Sequence, residues 1–174
     1  PSKSHIQRAL ALGLLNTQGV EIRNYKECAD SVSVLNSISC LGARIKRVGS
    51  NLEIFGTDNF KDAEINCGES GLCLRMFLPI LSLSEKEYKL KCADSLISRG
   101  NEYIPGVLKL LGVSCKITKD SIYVKGPIKS GDIQVDNPSG SQLFTGLLFA
   151  LSKSDGNSRI KIKNPVSLPY IRMT

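Results

Sequence analysis

Apolar positions along the chain fall into two recurring patterns. Leu35, Ile38 and Leu41, and again Ile104, Val107, Leu108 and Leu111, follow helical spacing, and each run is closed by a glycine, Gly42 or Gly112. Leu52-Glu53-Ile54 and Ile122-Tyr123-Val124 alternate, which predicts half-buried strands. The two patterns also repeat together. Leu41-Gly42-Ala43-Arg44-Ile45-Lys46 is echoed by Leu111-Gly112-Val113-Ser114-Cys115-Lys116 at a spacing of 70 residues. Leu52, Ile54 and Gly56 are echoed in the same way by Ile122, Val124 and Gly126. Each copy reads as helix, glycine C-cap, strand, tight turn, strand.

A second set of helices opens on small residues. Pro1-Ser2-Lys3-Ser4, Gly68-Glu69-Ser70-Gly71 and Pro138-Ser139-Gly140-Ser141 each precede an apolar run. The first run predicts a buried face of Ile6, Ala9, Leu10, Gly13 and Leu14, whereas those from Leu72 and Leu143 are apolar nearly all round, the mark of interior helices. Repeats of this length predict one pseudo-symmetric domain of three similar α/β units. In the third unit a helix is expected near Tyr170, after the strand Ile160–Lys163. A helix start presents unpaired N–H groups and the positive end of the dipole. Any one of these starts reads as an ordinary N-cap. Three in register, on a basic chain, predict a face that gathers carboxylates and phosphates.

With 174 residues, 41% hydrophobic and 22% charged, the chain suits one soluble globular domain. Its longest apolar stretches, Leu72–Leu83 and Leu143–Leu151, are too short to span a bilayer, and no secretion signal opens it. Pro1 and Met173-Thr174 read as cuts within a longer chain. The six cysteines (Cys28, Cys40, Cys67, Cys73, Cys92 and Cys115) form no CxxC pair, and His5 is the single histidine, so a zinc site is not expected. Free thiols in a reducing cytoplasm are expected instead, with Cys40 and Cys115 acting as small hydrophobes. A net charge of +7 suggests an anionic partner. The densest basic stretch, Arg159–Lys163, alternates along a strand. It lacks the aromatic interleaving or basic helical face of a nucleic-acid binder, so a small multiply charged metabolite is favoured.

Five segments, in order and over essentially the whole chain, resemble the 5-enolpyruvylshikimate-3-phosphate synthases. Pro1-Ser2-Lys3-Ser4 followed by Arg8-Ala9-Leu10 is similar to the opening signature of that family. Gly68-Glu69-Ser70-Gly71-Leu72-Cys73-Leu74-Arg75 resembles its Gly-Asn-Ala-Gly-Thr-Ala-x-Arg stretch, and Ser98-Arg99 stands where an Arg-Pro is usual. Ser139-Gly140-Ser141-Gln142 resembles a Ser-Ser-Gln stretch, and Ser167-Leu168-Pro169-Tyr170 a Ser-x-Pro-Tyr stretch.

The resemblance implies an α/β (α+β) domain of repeated βαβαββ units around buried parallel helices, an inside-out α/β barrel. It implies that residues 1–174 are the shikimate-3-phosphate-binding half of a two-domain enzyme, monomeric and cytoplasmic, with no metal or organic cofactor. Shikimate 3-phosphate would meet Lys3, Ser4, Arg8, Ser141, Gln142, Ser167 and Tyr170. Phosphoenolpyruvate would meet Lys3, Gly71, Arg99 and Gln142. Chemistry suits these roles: Ser4 and Arg8 share a helix face, a guanidinium pairs a carboxylate bidentately, and a glycine lets a ligand approach the backbone. Arg75 reads as structural, buried and paired. Catalytic groups are expected from the other domain, leaving this chain alone inactive.

Several positions depart from the family pattern: Glu69, Leu72, Met76, Gly100 and Gly140 replace Asn, Thr, Pro, Pro and Ser. Two rivals stand beside this reading. One is a domain like those that transfer enolpyruvyl to UDP-N-acetylglucosamine, which open on Lys-Asn rather than Lys3-Ser4. The other is a non-catalytic anion- or RNA-binding module of the same fold.

Overall fold

The computed structural model describes residues 2–174. The first unit runs α1 (Lys3–Leu14), β1 (Val20–Ile22), α2 (Ala29–Cys40), β2 (Arg44–Val48) and β3 (Asn51–Phe55). The second runs β4 (Glu64–Asn66), α3 (Gly71–Leu81), β5 (Glu87–Lys91), the short α4 (Asp94–Ile97), α5 (Ile104–Leu110), β6 (Ser114–Ile117) and β7 (Ser121–Lys125). The third contributes β8 (Asp132–Asp136), α6 (Gln142–Leu151), β9 (Arg159–Lys163) and α7 (Leu168–Met173). The last helix thus begins two residues before the Tyr170 at which the pattern placed it.

Each unit has its own sheet: β1-β3-β2 in the first, β4-β5-β7-β6 in the second and β8-β9 in the third. Both hairpins are antiparallel, pairing Ile45 with Ile54 and Cys115 with Val124, so the 70-residue echo is also an echo of register. β4 with β5 and β8 with β9 are parallel, each pair joined across a central helix. α2 packs on β4 and α5 on β8, the first strand of the following unit, so neighbouring units interlock.

The repeated glycines have two separate physical reasons. At Gly42 and Gly112 the backbone enters the left-handed region, φ 112° and 79°, where a side chain is strained. Behind them Ala43 N–H donates to Ile38 and Val113 N–H to Leu108, closing both helices with the same Schellman-type bond. At Gly56 and Gly126 the reason is space. A Cβ there would lie 2.0 Å from the carbonyl oxygen of Leu14 or Ser82, at the end of a central helix. Thr57 and Ile128 N–H groups donate to those same carbonyls, which satisfies helix-end acceptors that would otherwise be unpaired.

The core is built on α1, α3 and α6, with α3 packed against both of the others. Nine of the eleven α3 residues are buried, as their all-round apolar pattern requires. At the α3–α6 crossing Gly146 sits so close to Met76 that a Cβ would be 2.2 Å from its carbonyl oxygen. α1 departs from the predicted face. Ile6 and Ala9 are only partly buried, while Gln7, Arg8 and Ala11 lie inside. Polar partners on α3 and α6 allow this: Ser70 Oγ donates to Gln7 Oε1 at 2.8 Å, and Arg8 Nη2 donates to Thr145 Oγ1 at 3.0 Å. Cys40 is exposed rather than buried, and Cys115 is half-buried in β6, where burial pushes its thiol up to about 12.

Candidate functional site

The starts of α1, α3 and α6 meet at one groove of about 440 Å³. Ser2 and Ser70 accept from His5 and Cys73 N–H and so cap the first two helices. Ser141, at the corresponding place on α6, makes no capping bond, and its hydroxyl lines the groove. The first helical residues are therefore Lys3, Gly71 and Gln142, three different chemistries at equivalent positions.

All seven residues expected to hold shikimate 3-phosphate line this groove: Lys3, Ser4, Arg8, Ser141, Gln142, Ser167 and Tyr170. An adjoining hollow of about 400 Å³ shares Gly71, Arg75 and Gln142 with it and adds Arg99, Gly100 and Tyr103. Of the four residues expected around phosphoenolpyruvate, Gly71, Arg99 and Gln142 line this second hollow, while Lys3 lines only the first. Its ammonium pairs with Asp30 at 3.1 Å.

Arg8 is 5% exposed. Nε donates to Thr174 Oγ1 at 2.9 Å and Nη1 to Ser4 carbonyl at 2.8 Å. Nη2 donates to Thr145 Oγ1 at 3.0 Å and to Tyr170 carbonyl at 3.4 Å. A guanidinium carries five N–H donors, so one proton of Nη1 remains for the groove. The guanidinium carbon also lies 5.9 Å from the centre of the Tyr170 ring, within range of a cation–π contact. Ser167, at the start of α7, adopts φ 57° and ψ 42°, a left-handed conformation that costs a residue with a side chain free energy and that clusters at functional sites.

The groove carries two carboxylates, Asp30 and Glu69, beside its cations. None of the described carboxylates forms an ion pair with Arg8, Arg75 or Arg99. Burial lowers the pKa of both Arg8 and Arg75, and the nearby Arg99 cation pushes Arg75 the same way. Arg8 lies inside, Arg75 is half-buried and Arg99 is exposed. Guanidinium groups without a paired carboxylate thus reach from the interior to the surface of the site, where an anion can meet them.

The pattern of the sequence did not single out Gln7, Asp30, Asn101 or Tyr103. Gln7 is a buried polar group bonded across units to Ser70, and Asn101 one bonded within its unit to Arg75, 26 positions away, relations invisible to local spacing. Asp30 carries the one available signal, an acid in the first turn of α2.

The sequence profile described as EPSP synthase (3-phosphoshikimate 1-carboxyvinyltransferase) matches residues 1–174. The chain belongs to this family. It is 32% identical to the 3-phosphoshikimate 1-carboxyvinyltransferase of Korarchaeum cryptofilum over 100% of its own length and 43% of that protein's. It is likewise 32% identical to the enzyme of that name from Archaeoglobus fulgidus, over 99% of the chain and 42% of the relative. Its backbone is similar to a structure of EPSP synthase from Acinetobacter baumannii, with a TM-score of 0.83 at 22% identity over 98% of this chain and 40% of that one. The enolpyruvyl transferase NikO from Streptomyces tendae is also similar, with a TM-score of 0.65 at 16% identity over 94% of this chain and 39% of that one. The EPSP synthase-family chain therefore has the enolpyruvyl transferase fold and spans about two-fifths of the length of the relatives it matches.

Proposed function

We propose that this chain is the shikimate-3-phosphate-binding half of a two-domain 3-phosphoshikimate 1-carboxyvinyltransferase, a cytoplasmic enzyme of aromatic amino acid biosynthesis. The observation that carries this reading is the groove itself, where guanidinium groups without acidic partners meet three helix starts. Shikimate 3-phosphate brings a carboxylate and a phosphate, which suit Arg8 at one end and the Ser141–Ser167 hydroxyls with the α6 N–H groups at the other. Tyr170 and Gln142 would face its ring. Phosphoenolpyruvate then fits the adjoining hollow, against Gly71 and within reach of Arg99 and Gln142.

In the reaction, the 5-hydroxyl of shikimate 3-phosphate adds to C2 of phosphoenolpyruvate. A C–O bond forms, the hydroxyl proton passes to a base, and an acid protonates the methylene carbon. Loss of inorganic phosphate from the tetrahedral intermediate, with a proton removed again from the methyl group, restores the enol ether. The acid and base belong to the second domain on this reading, and the contribution of the present chain is binding and orientation. The reading also expects a monomer.

Titration of the chain with shikimate 3-phosphate, followed by heteronuclear NMR, tests the proposal. Shifts confined to Ser4, Arg8, Ser141, Gln142, Ser167 and Tyr170, with no phosphate released when phosphoenolpyruvate is added, are the expected result. A preferential response to UDP-N-acetylglucosamine or to an RNA oligonucleotide overturns it.

A further inference from the structure

Arg75 uses all three guanidinium nitrogens on groove walls from elsewhere in the chain. Nε donates to Asn101 Oδ1 at 2.9 Å, Nη1 to Gln142 Oε1 at 2.6 Å, and Nη2 to the carbonyl of Arg99. Arginine offers donors only, so an amide facing it must present its oxygen. Gln142 therefore has its amide nitrogen left over, at a point where two hollows meet. Asn101 is held just as firmly: it is fully buried, and Nδ2 donates to Leu96 and Ile97 carbonyls at 2.7 and 3.0 Å. Between Arg99 and Asn101, Gly100 turns through φ 60°, and Ser139 Oγ donates to its carbonyl at 3.1 Å. The loop that carries Arg99 is thus tied to α3 on one side and to the α6 approach on the other.

We propose that Arg75 is a positioning residue for phosphoenolpyruvate: it makes Gln142 an obligate hydrogen-bond donor and fixes the backbone from which Arg99 reaches the ligand. The inference rests on the function proposed above and goes beyond it by naming what this subsite demands. The ligand atom at Gln142 must be an acceptor, as a carboxylate or phosphate oxygen is.

The test uses the full-length protein that carries this chain, with Arg75→Lys and Gln142→Glu. Lysine keeps the charge but loses the fork. It is expected to raise KM for phosphoenolpyruvate about tenfold while kcat and KM for shikimate 3-phosphate stay within about threefold. Glutamate at 142 keeps an oxygen for Arg75 but replaces the donor with an anion. Its KM for phosphoenolpyruvate should rise about a hundredfold while Tm holds or increases. Wild-type KM values for phosphoenolpyruvate in both variants, with Tm alone lowered in Arg75→Lys, overturn the proposal.

A second readout needs no turnover: with ¹⁵N-labelled glutamine, the Gln142 side-chain amide shifts on adding inorganic phosphate in the wild type and fails to do so in Arg75→Lys. If the wild type converts neither substrate yet this difference is seen, the functional reading falls and the positioning role stands. If it converts both and the two proteins shift alike, the positioning role falls.

Discussion

Glu69 lines both hollows, immediately before the Ser70 cap of α3, and forms no ion pair among the described residues, whereas Asp30, the other acid of the groove, is paired with Lys3. Opposite charges a few ångströms apart in water interact by about 1 kcal/mol, so a carboxylate here works against any anionic ligand by a similar amount. Glu69→Asn should tighten phosphoenolpyruvate binding by about three- to tenfold, and the gain should shrink with added salt. Calorimetry at two ionic strengths checks this, and an unchanged affinity would mean that the carboxylate turns away into solvent. At this scale the sequence said much. Ser4, Arg8, Ser141, Gln142, Ser167 and Tyr170 could be named because they recur in short motifs. The work of Arg75 could not, because its partners Asn101 and Gln142 lie 26 and 67 positions away. A lone arginine in an apolar helix shows only that it needs partners.

Among the elements, the two hairpins depend on glycines that look alike in the sequence and differ in consequence. Gly56→Ala or Gly126→Ala drives a methyl group to 2.0 Å from a backbone oxygen, which cannot move aside as a flexible side chain can. Each should cost about 3 kcal/mol or more, seen as a lower urea midpoint. Gly106, inside α5, meets nothing within 4 Å of a Cβ. Gly106→Ala should instead stabilise by about 0.5–1 kcal/mol through helix propensity. Loss of stability at Gly106, or none at Gly126, would contradict the packing described. Periodicity located these helices and strands because burial on one side imposes it. It misjudged α1, since a helix wedged between neighbours buries Gln7 and Arg8 as readily as leucine once their polar atoms are bonded.

Over the whole molecule, the thiols report how tightly the units close. Cys28 and Cys40 are exposed, Cys92 and Cys115 half-buried, and Cys67 and Cys73 fully buried. Thiolate is the reactive form; a hydrogen bond with Cys73 and burial hold Cys67 above its usual range, and burial does the same for Cys92 and Cys115. At pH 8 a disulfide reagent should modify Cys28 and Cys40 rapidly. Cys67 and Cys73 should react only as fast as the domain opens, a rate that shikimate 3-phosphate should slow. Mass spectrometry of the labelled sites distinguishes these classes. Rapid labelling of Cys73, whose thiol meets Ser37 Oγ of α2 at 3.8 Å, would show that α2 and α3 part easily.

The three central helices begin with Lys3, Gly71 and Gln142, a cation, a gap and an amide. Three identical copies of one unit, set around an axis, would offer three identical groups there. Such a ring can recognise only what looks the same from three sides, as a lone phosphate does. Divergence at this one position, on a scaffold that keeps its glycines, gives the ring a front and a back and lets it tell the two ends of a chiral molecule apart.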